Sequence, residues 1–284
     1  MSKIVVGCGY LGHRVAGLWR DEGHHVQVVT RDADRAKNLE KEGFEPLVLD
    51  ITDLDNVSWP EAETVLFAVG YDRRKYQSID EVFVDGLKNV VAKLPPPQRF
   101  IYISSTGVYG QTEGDWVTED SPCAPARPGG IACLAAEGLL NELQWKDSVT
   151  VLRLAGIYGP GRVPRQADIR NGFPIPGSSG YLNLIHVDDA ANIVVAVGNQ
   201  ASPAGCYLVS DGQPVLRNAY YTELARLLEA PEPTFEAPPP ESHLAARANA
   251  SKRLLTDRLK NDINPTLQYP SYVEGLAAIV AAGG

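Results

Sequence analysis

The sequence predicts an α/β fold, a doubly wound parallel sheet followed by a small C-terminal substrate lobe. Three observations carry that expectation. Short runs rich in β-branched residues alternate with amphipathic stretches of helical length through the first two-thirds of the 284 residues. The first such run leads directly into Gly7-Cys8-Gly9-Tyr10-Leu11-Gly12. The alternation then breaks at Gly159-Pro160-Gly161-Arg162 and again at Phe173-Pro174-Ile175-Pro176-Gly177.

Taken in order, strands are expected at 4–7, 26–30, 44–50, 65–69, 100–104 and 149–154, where Val, Ile, Leu and Phe dominate. Helices are expected at 11–22, 33–42, 78–94 and 131–145. Continuous apolar strands separated by helices imply a sheet buried on both faces. Right-handed crossovers then gather the loops that follow the strands along one edge. The division expected is a nucleotide-binding domain at 1–158 and a mixed segment at 159–284. Within the latter, a helix at 188–198 returns to the main domain, and the proline-rich 231–240 is an extended surface connection. Short helices near 251–260 and 272–282 close the chain.

Composition narrows the partners. Apolar residues make up 44% and charged residues 21%, ordinary for a globular protein. A formal charge of -9 argues against nucleic acid or an anionic membrane surface, both of which call for a basic patch. No apolar run approaches the roughly 20 residues that cross a bilayer, and the glycine motif begins too early to follow a signal peptide. A cytoplasmic setting is therefore expected. Cys8, Cys123, Cys133 and Cys206 lack metal-ligand spacing.

Gly7, Gly9 and Gly12, after a strand and opening a helix, form a dinucleotide fingerprint of the Rossmann type. The first glycine allows the turn and the second lets the backbone approach a pyrophosphate. The third permits close helix–strand packing, with Tyr10 and Leu11 leading into the helix. The end of the second strand discriminates between dinucleotides. Thr30 stands there where an acid would hold a ribose 2′-hydroxyl, and Arg31 is suited to a 2′-phosphate, with Arg35 in support. NADP is the cofactor expected on this ground. Asp32, two positions on, leaves NAD open as the alternative.

Further segments carry a resemblance. Ser104-Ser105-Thr106-Gly107-Val108-Tyr109-Gly110, Leu152 to Gly161, Asn183-Leu184-Ile185-His186-Val187-Asp188-Asp189 and Tyr269 to Leu276 join the glycine motif. Together they resemble the extended short-chain dehydrogenase/reductase superfamily, of the NAD-dependent epimerase/dehydratase-like kind. That family carries Tyr-x-x-x-Lys and then Glu on a helix. Here Pro125 to Glu137 aligns on the proline and the glutamate, which puts Gly129 at the tyrosine and Cys133 at the lysine. The chain thus looks like an atypical member without the acid–base dyad.

The resemblance implies site residues. Asp50 and Ile51 would face the adenine, Asp50 having a helix cap as its other reading. Ala68 and Val69 would lie beneath a ribose, and Ser104 and Ile157 near the nicotinamide. Ser105 falls at the substrate-positioning hydroxyl, its alternative being to satisfy backbone at a strand end. Tyr71, followed by Asp72, Arg73 and Arg74, is the candidate replacement proton donor. His186 reads as a buried structural histidine. Arg162, Arg165 and Arg170 either meet an anionic substrate or form a solvated face. Two functions follow: an NAD(P)-dependent epimerase/dehydratase-like or reductase-like enzyme on a carbonyl or sugar-derived small molecule, or a non-catalytic NADP(H) sensor. A homodimer through the helices at 78–94 and 131–145 is a further expectation.

Overall fold

The computed structural model describes residues 1–54, 57–72, 78–203 and 205–283. Seven strands build the central sheet: β1 (Ser2–Val6), β2 (His25–Thr30), β3 (Glu45–Val48), β4 (Thr64–Phe67), β5 (Arg99–Ser105), β6 (Val149–Leu154) and β7 (Cys206–Val209). Their order is β7-β6-β5-β4-β1-β2-β3. The chain therefore winds outward from β1 in both directions. The ladders β3–β2, β2–β1, β1–β4 and β4–β5 are parallel, with Val6 opposite both Val29 and Phe67. This is the Rossmann arrangement, and its strand order reverses between β1 and β4, where a crevice opens at the strands' carboxyl ends.

The strands form because their side chains find an apolar environment on both faces. β4 and β6 are buried at every residue, and Ile4, Val6, Val65, Phe67, Phe100 and Val151 join one core with Leu87 and Val90. Among the helices beside the sheet are α1 (Gly12–Asp21), α2 (Ala33–Lys41), α3 (Gly86–Lys93) and α4 (Pro128–Asn141), and most of the helix Val187–Asn199 belongs to the same unit. A π-helical turn at Glu81–Asp85 leads into α3. α2 begins at Asp32, whose carboxylate accepts from the backbone N–H of Asp34 and Arg35, a side-chain N-cap.

Two features depart from expectation. β7 was not anticipated, although Val151 N–H donates to Gly205 O and Ala155 N–H to Val209 O along that edge. The chain also does not divide near residue 158. One compact unit comprises Met1–Ser105, Pro128–Arg153 and Ala191–Tyr207; the other comprises Thr106–Arg127, Leu154–Ala190 and Leu208–Gly284. The polypeptide leaves the sheet unit after β5 and again after β6, so the units interleave in sequence.

The second unit is held by short ladders. Asp115–Val117 pairs with Lys252–Leu254, Gly156–Tyr158 with Leu184–His186, and Ile175–Pro176 with Phe235–Glu236, all parallel. The segment at 251–260, expected as helix, is thus strand first and then the helix Asp257–Asp262. Helices Arg217–Leu227 and Tyr272–Ala281 share a core with Tyr158, Tyr220, Leu224 and Leu276. Gly275 is obligatory there, because a Cβ would lie 2.0 Å from the Tyr158 hydroxyl. His186 is buried against the Tyr269 ring, centroids 3.9 Å apart, and packs edge-on to Tyr158.

Candidate nucleotide-binding site

Gly7 closes β1 with φ +96°, a conformation open to glycine and strained for other residues. A Cβ on it would also lie 2.7 Å from backbone atoms of Ala68 and Val69, just past β4. The two strand ends at the switch point can approach only because that atom is absent. Gly9 N–H donates to Gly7 O at 2.8 Å, which tightens the turn. Gly12 opens α1, and a Cβ there would sit 2.3 Å from Gly7 O. Gly9 differs from both: its missing Cβ would point into open space, with nothing within 4 Å. The first and third glycines are thus explained by the protein's own packing. The second leaves room for something else at the start of α1, where N–H groups lack intrahelical acceptors.

This loop forms part of a cleft of about 390 Å³. Its walls include Thr30, Arg31, Asp32 and Arg35 after β2, Asp50, Ile51 and Thr52 after β3, and Ala68, Val69, Gly70 and Asp72 after β4. The donor set fits a dinucleotide: a glycine cradle at a helix start, two guanidinium residues, and apolar residues Val29, Leu49, Ile51 and Val69 among the walls. Arg35 hydrogen-bonds the Cys8 carbonyl and so ties α2 to the loop. Asp32 already serves α2 as its N-cap, which accounts for an acid at this place without a ribose.

The Asp50 carboxylate accepts from Thr52 N–H at 3.0 Å and Thr52 Oγ1 at 2.7 Å, closing a tight turn instead of capping a helix. Ile51 lines the cleft and also joins the core, its side chain lying beside Gly86 of α3. Its carbonyl accepts from Asn89 Nδ2. Tyr10 stacks under Arg14, whose guanidinium lies 4.5 Å from the ring centroid, and Leu11 is buried.

The region where the end of β5 meets α4 is assembled differently. Ser104 is buried, and its hydroxyl donates to Glu137 Oε1 at 2.5 Å. It belongs to the interior and not to the cleft wall as described. Arg153 grips the same carboxylate with Nε at 3.1 and 3.2 Å and Nη2 at 2.7 Å. Cys133, one turn before Glu137 on α4, hydrogen-bonds Tyr102, Ser104 and the Ser105 backbone. Burial first, and then Glu137, push the Cys133 thiol up to about 11. The same burial, with Cys133 and Glu137 beside it, raises the Tyr102 phenol well above its ordinary range. Gly129 sits one turn earlier on α4 with Ile79 as its neighbour.

Ser105 ends β5 in a half-buried position, and Tyr71 meets Phe83 edge-on at 6.5 Å. The cleft wall as described includes neither. Arg73 and Arg74 lie outside the described residues. Ile157 belongs to the second unit, on a strand opposite Ile185. Arg165 pairs with Asp168 at 2.9 Å within one helical turn. Sequence reasoning missed Thr52 and Asp72 as wall residues and Arg153 as the partner of Glu137. The only available signal was an arginine inside an otherwise apolar strand.

A sheet with this order and this loop defines a dinucleotide-binding oxidoreductase or epimerase class of protein. Residues 4–207 match the family model described as "NAD dependent epimerase/dehydratase family", and the chain belongs to that family. It is 27% identical over 281 residues to "Protein YeeZ" of Escherichia coli K12, covering 95% of this chain and 97% of that one. It is 28% identical over 259 residues to a "3-diazoavenalumate denitrifying reductase" of a Streptomyces species, covering 82% and 83%. The Bordetella bronchiseptica enzyme WbmG, solved with NAD, superposes with a TM-score of 0.79 at 18% identity over 99% of this chain and 93% of WbmG, a likeness of fold.

Proposed function

We propose that this protein is an NADPH-dependent reductase of a small carbonyl-type or sugar-derived substrate, acting without the tyrosine–lysine dyad. The observation that carries the reading is the rim of the cleft, where Thr30 replaces an acid and Arg31 and Arg35 stand beside the glycine loop. A guanidinium fork suits a 2′-phosphate, and a carboxylate there would repel it. When bound, the nicotinamide supplies a hydride. The chain's own tasks are to hold the phosphates at Gly7–Gly12, to orient the acceptor through the Ser105 hydroxyl, and to see a proton delivered from Tyr71 or water.

Reduction is favoured over epimerisation on chemical grounds. Epimerisation by oxidation and return needs a base that takes a proton from a substrate hydroxyl near neutral pH. Gly129 offers no side chain and burial pushes the Cys133 thiol up to about 11, so neither position supplies such a base, whereas the single proton that reduction consumes can come from water. The Streptomyces relative is a reductase, which is consistent with this. The second reading, a non-catalytic NADP(H) sensor, draws on the same missing dyad. A cytoplasmic setting accords with both, and no described helix is long and apolar enough to cross a membrane.

The test is a fluorescence titration with NADPH and NADH, on wild type and Arg31→Ala, followed by a screen for NADPH oxidation with carbonyl acceptors. NADPH is expected to bind more tightly, and Arg31→Ala to weaken it roughly tenfold while sparing NADH. Preference for NADH would retire the Arg31 assignment. Tight binding with no turnover would move the protein to the sensor reading.

A further inference from the structure

The stretch that leads into the last helix is tied to the second unit by polar contacts from buried groups. The Asp189 carboxylate accepts from Gln268 N–H at 2.7 Å and from Tyr269 N–H at 2.9 Å. The Tyr158 hydroxyl donates to Ser271 O at 3.3 Å, immediately before the helix Tyr272–Ala281. The Tyr269 ring rests on the buried His186 ring. All of these residues belong to the second unit.

Asp211 is an electrostatic neighbour of both Asp189 and Tyr158, and its carboxyl is bonded on one side only. Its backbone N–H donates to Leu184 O at 2.8 Å, and its Oδ1 accepts from Gln213 N–H at 2.9 Å. Oδ2 is buried and has no partner among the described residues. Buried polar groups are normally satisfied, because leaving water without a partner is costly. The charges that act on Asp211 carry its own sign: Asp189 from the helix Val187–Asn199 and Glu274 from the helix Tyr272–Ala281. Lys260 Nζ lies 3.3 Å from where a Cβ on Gly212 would sit, yet it forms no ion pair with Asp211. Burial, with Asp211 and then Asp189 alongside, holds the Tyr158 phenol well above its ordinary range, so it stays a donor to Ser271 O.

We propose that Asp211 is a proton-controlled latch for the stretch Gln268–Ser271 and the first turn of the helix that follows: a neutral carboxyl keeps the segment seated, and an ionised one loosens it. Ionisation sets a third carboxylate beside Asp189 and Glu274 with no cation paired to it. Lifting the segment relieves this twice, since it carries Glu274 away and lets water reach Oδ2. Leu276 and Ile279 hold the rest of the helix by apolar packing, which charge does not touch, so the loosening is confined to the helix entrance. Burial first, opposed by Gln213 N–H and reinforced by Asp189 and Glu274, raises Asp211 from 3.8 to about 7 while the segment is seated. Admitting water returns the group toward its ordinary value. Seating is therefore strongest below about pH 4, weakens as the pH rises to about 7, and stays weak above that. The latch requires no dinucleotide and stands or falls apart from the reading of the cleft.

The test is amide hydrogen exchange on the full chain, corrected for the intrinsic pH dependence of exchange. Gln268, Tyr269 and Gly275 N–H report the segment, and Ala68 N–H, which donates to Val6 O, reports the central sheet. Protection at the three segment amides is expected to fall at least about tenfold between about pH 4.5 and about pH 7.5. At the upper pH it is expected to lie at least about tenfold below that of Ala68 N–H. In Asp211→Asn, which keeps the shape and removes the charge, segment protection is expected to stay constant over the same range. Segment protection indifferent to pH in the wild type, or an equal fall in Asp211→Asn, would overturn the latch. So would segment protection equal to that of Ala68 N–H, because the segment would then open only with the whole molecule. Should Asp211→Asn fail to fold, the wild type still decides: the Asp211 carboxyl carbon, followed by NMR, is expected to titrate above the ordinary carboxylate range, and a midpoint within that range rules the latch out.

Discussion

Gly7 carries two constraints on a single hydrogen atom. Its φ of +96° costs an L-residue about 1–2 kcal/mol, and its Cβ would meet backbone at 2.7 Å that cannot rotate away. Gly7→Ala is therefore expected to push β1 and β4 apart, lower thermal stability and abolish dinucleotide binding together. Gly9→Ala separates the two effects. Its Cβ meets no protein atom, so stability should stay nearly constant while NADPH affinity falls. Paired thermal melts and fluorescence titrations of the two variants check this. Equal loss of stability in both would mean the loop is merely a turn. The contrast also marks the limit of motif reading: three glycines look alike in the sequence, and only the packing around each separates structural need from space for a ligand.

At the scale of elements, α4 is tied to the sheet through one buried carboxylate. Gly129, Cys133 and Glu137 follow one another at single-turn spacing, and Glu137 is bonded by both Ser104 and Arg153. Glu137 and Arg153 side chains are 6% and 11% exposed, so removing one partner leaves a buried charge. Arg153→Met should cost about 3–5 kcal/mol in urea unfolding, and combining it with Glu137→Gln should recover much of that loss. A single-variant cost below about 1 kcal/mol would mean water reaches Glu137 and the pair is a surface one. Such a pair was legible only in half. Glu137 stood out by alignment, whereas Arg153 sat in a strand whose apolar pattern predicted the strand correctly and concealed the charge. The core strands were readable for that same reason, since burial on both faces writes itself as continuous hydrophobicity. β7 was not, because Cys206–Val209 is a four-residue edge with turn residues on either side. Ser104 and Ser105 could not be told apart by type. Alternation along β5 decides which hydroxyl turns inward, and the inward one met Glu137.

For the molecule as a whole, two buried groups of opposite sign set a pH dependence that its net acidity would not suggest. Asp211 is 6% exposed and its Oδ2 has no hydrogen-bond partner among the described residues. Burial, opposed by the Gln213 N–H and reinforced by Asp189, raises its pKa from 3.8 to about 7. Below both values the carboxyl is protonated folded or unfolded and costs nothing. Between them the folded chain holds a proton that the unfolded chain has released, so this group's contribution to stability falls as pH rises from about 4 to about 7 and stays lost above. A displacement from 3.8 to about 7 corresponds to roughly 4 kcal/mol at most. Lys252 acts in the opposite sense. Its pKa is lowered from 10.5 to about 8, so its penalty is absent above 10.5 and complete below 8. Between pH 7 and 8 both groups are therefore ionised and both penalties apply. Asp211→Asn should accordingly stabilise the protein at pH 7.5 by a few kcal/mol, with the gain shrinking to nothing near pH 4. Denaturation midpoints across that range read the difference directly. A gain that does not change with pH would mean that Asp211 acts through packing and not through its charge.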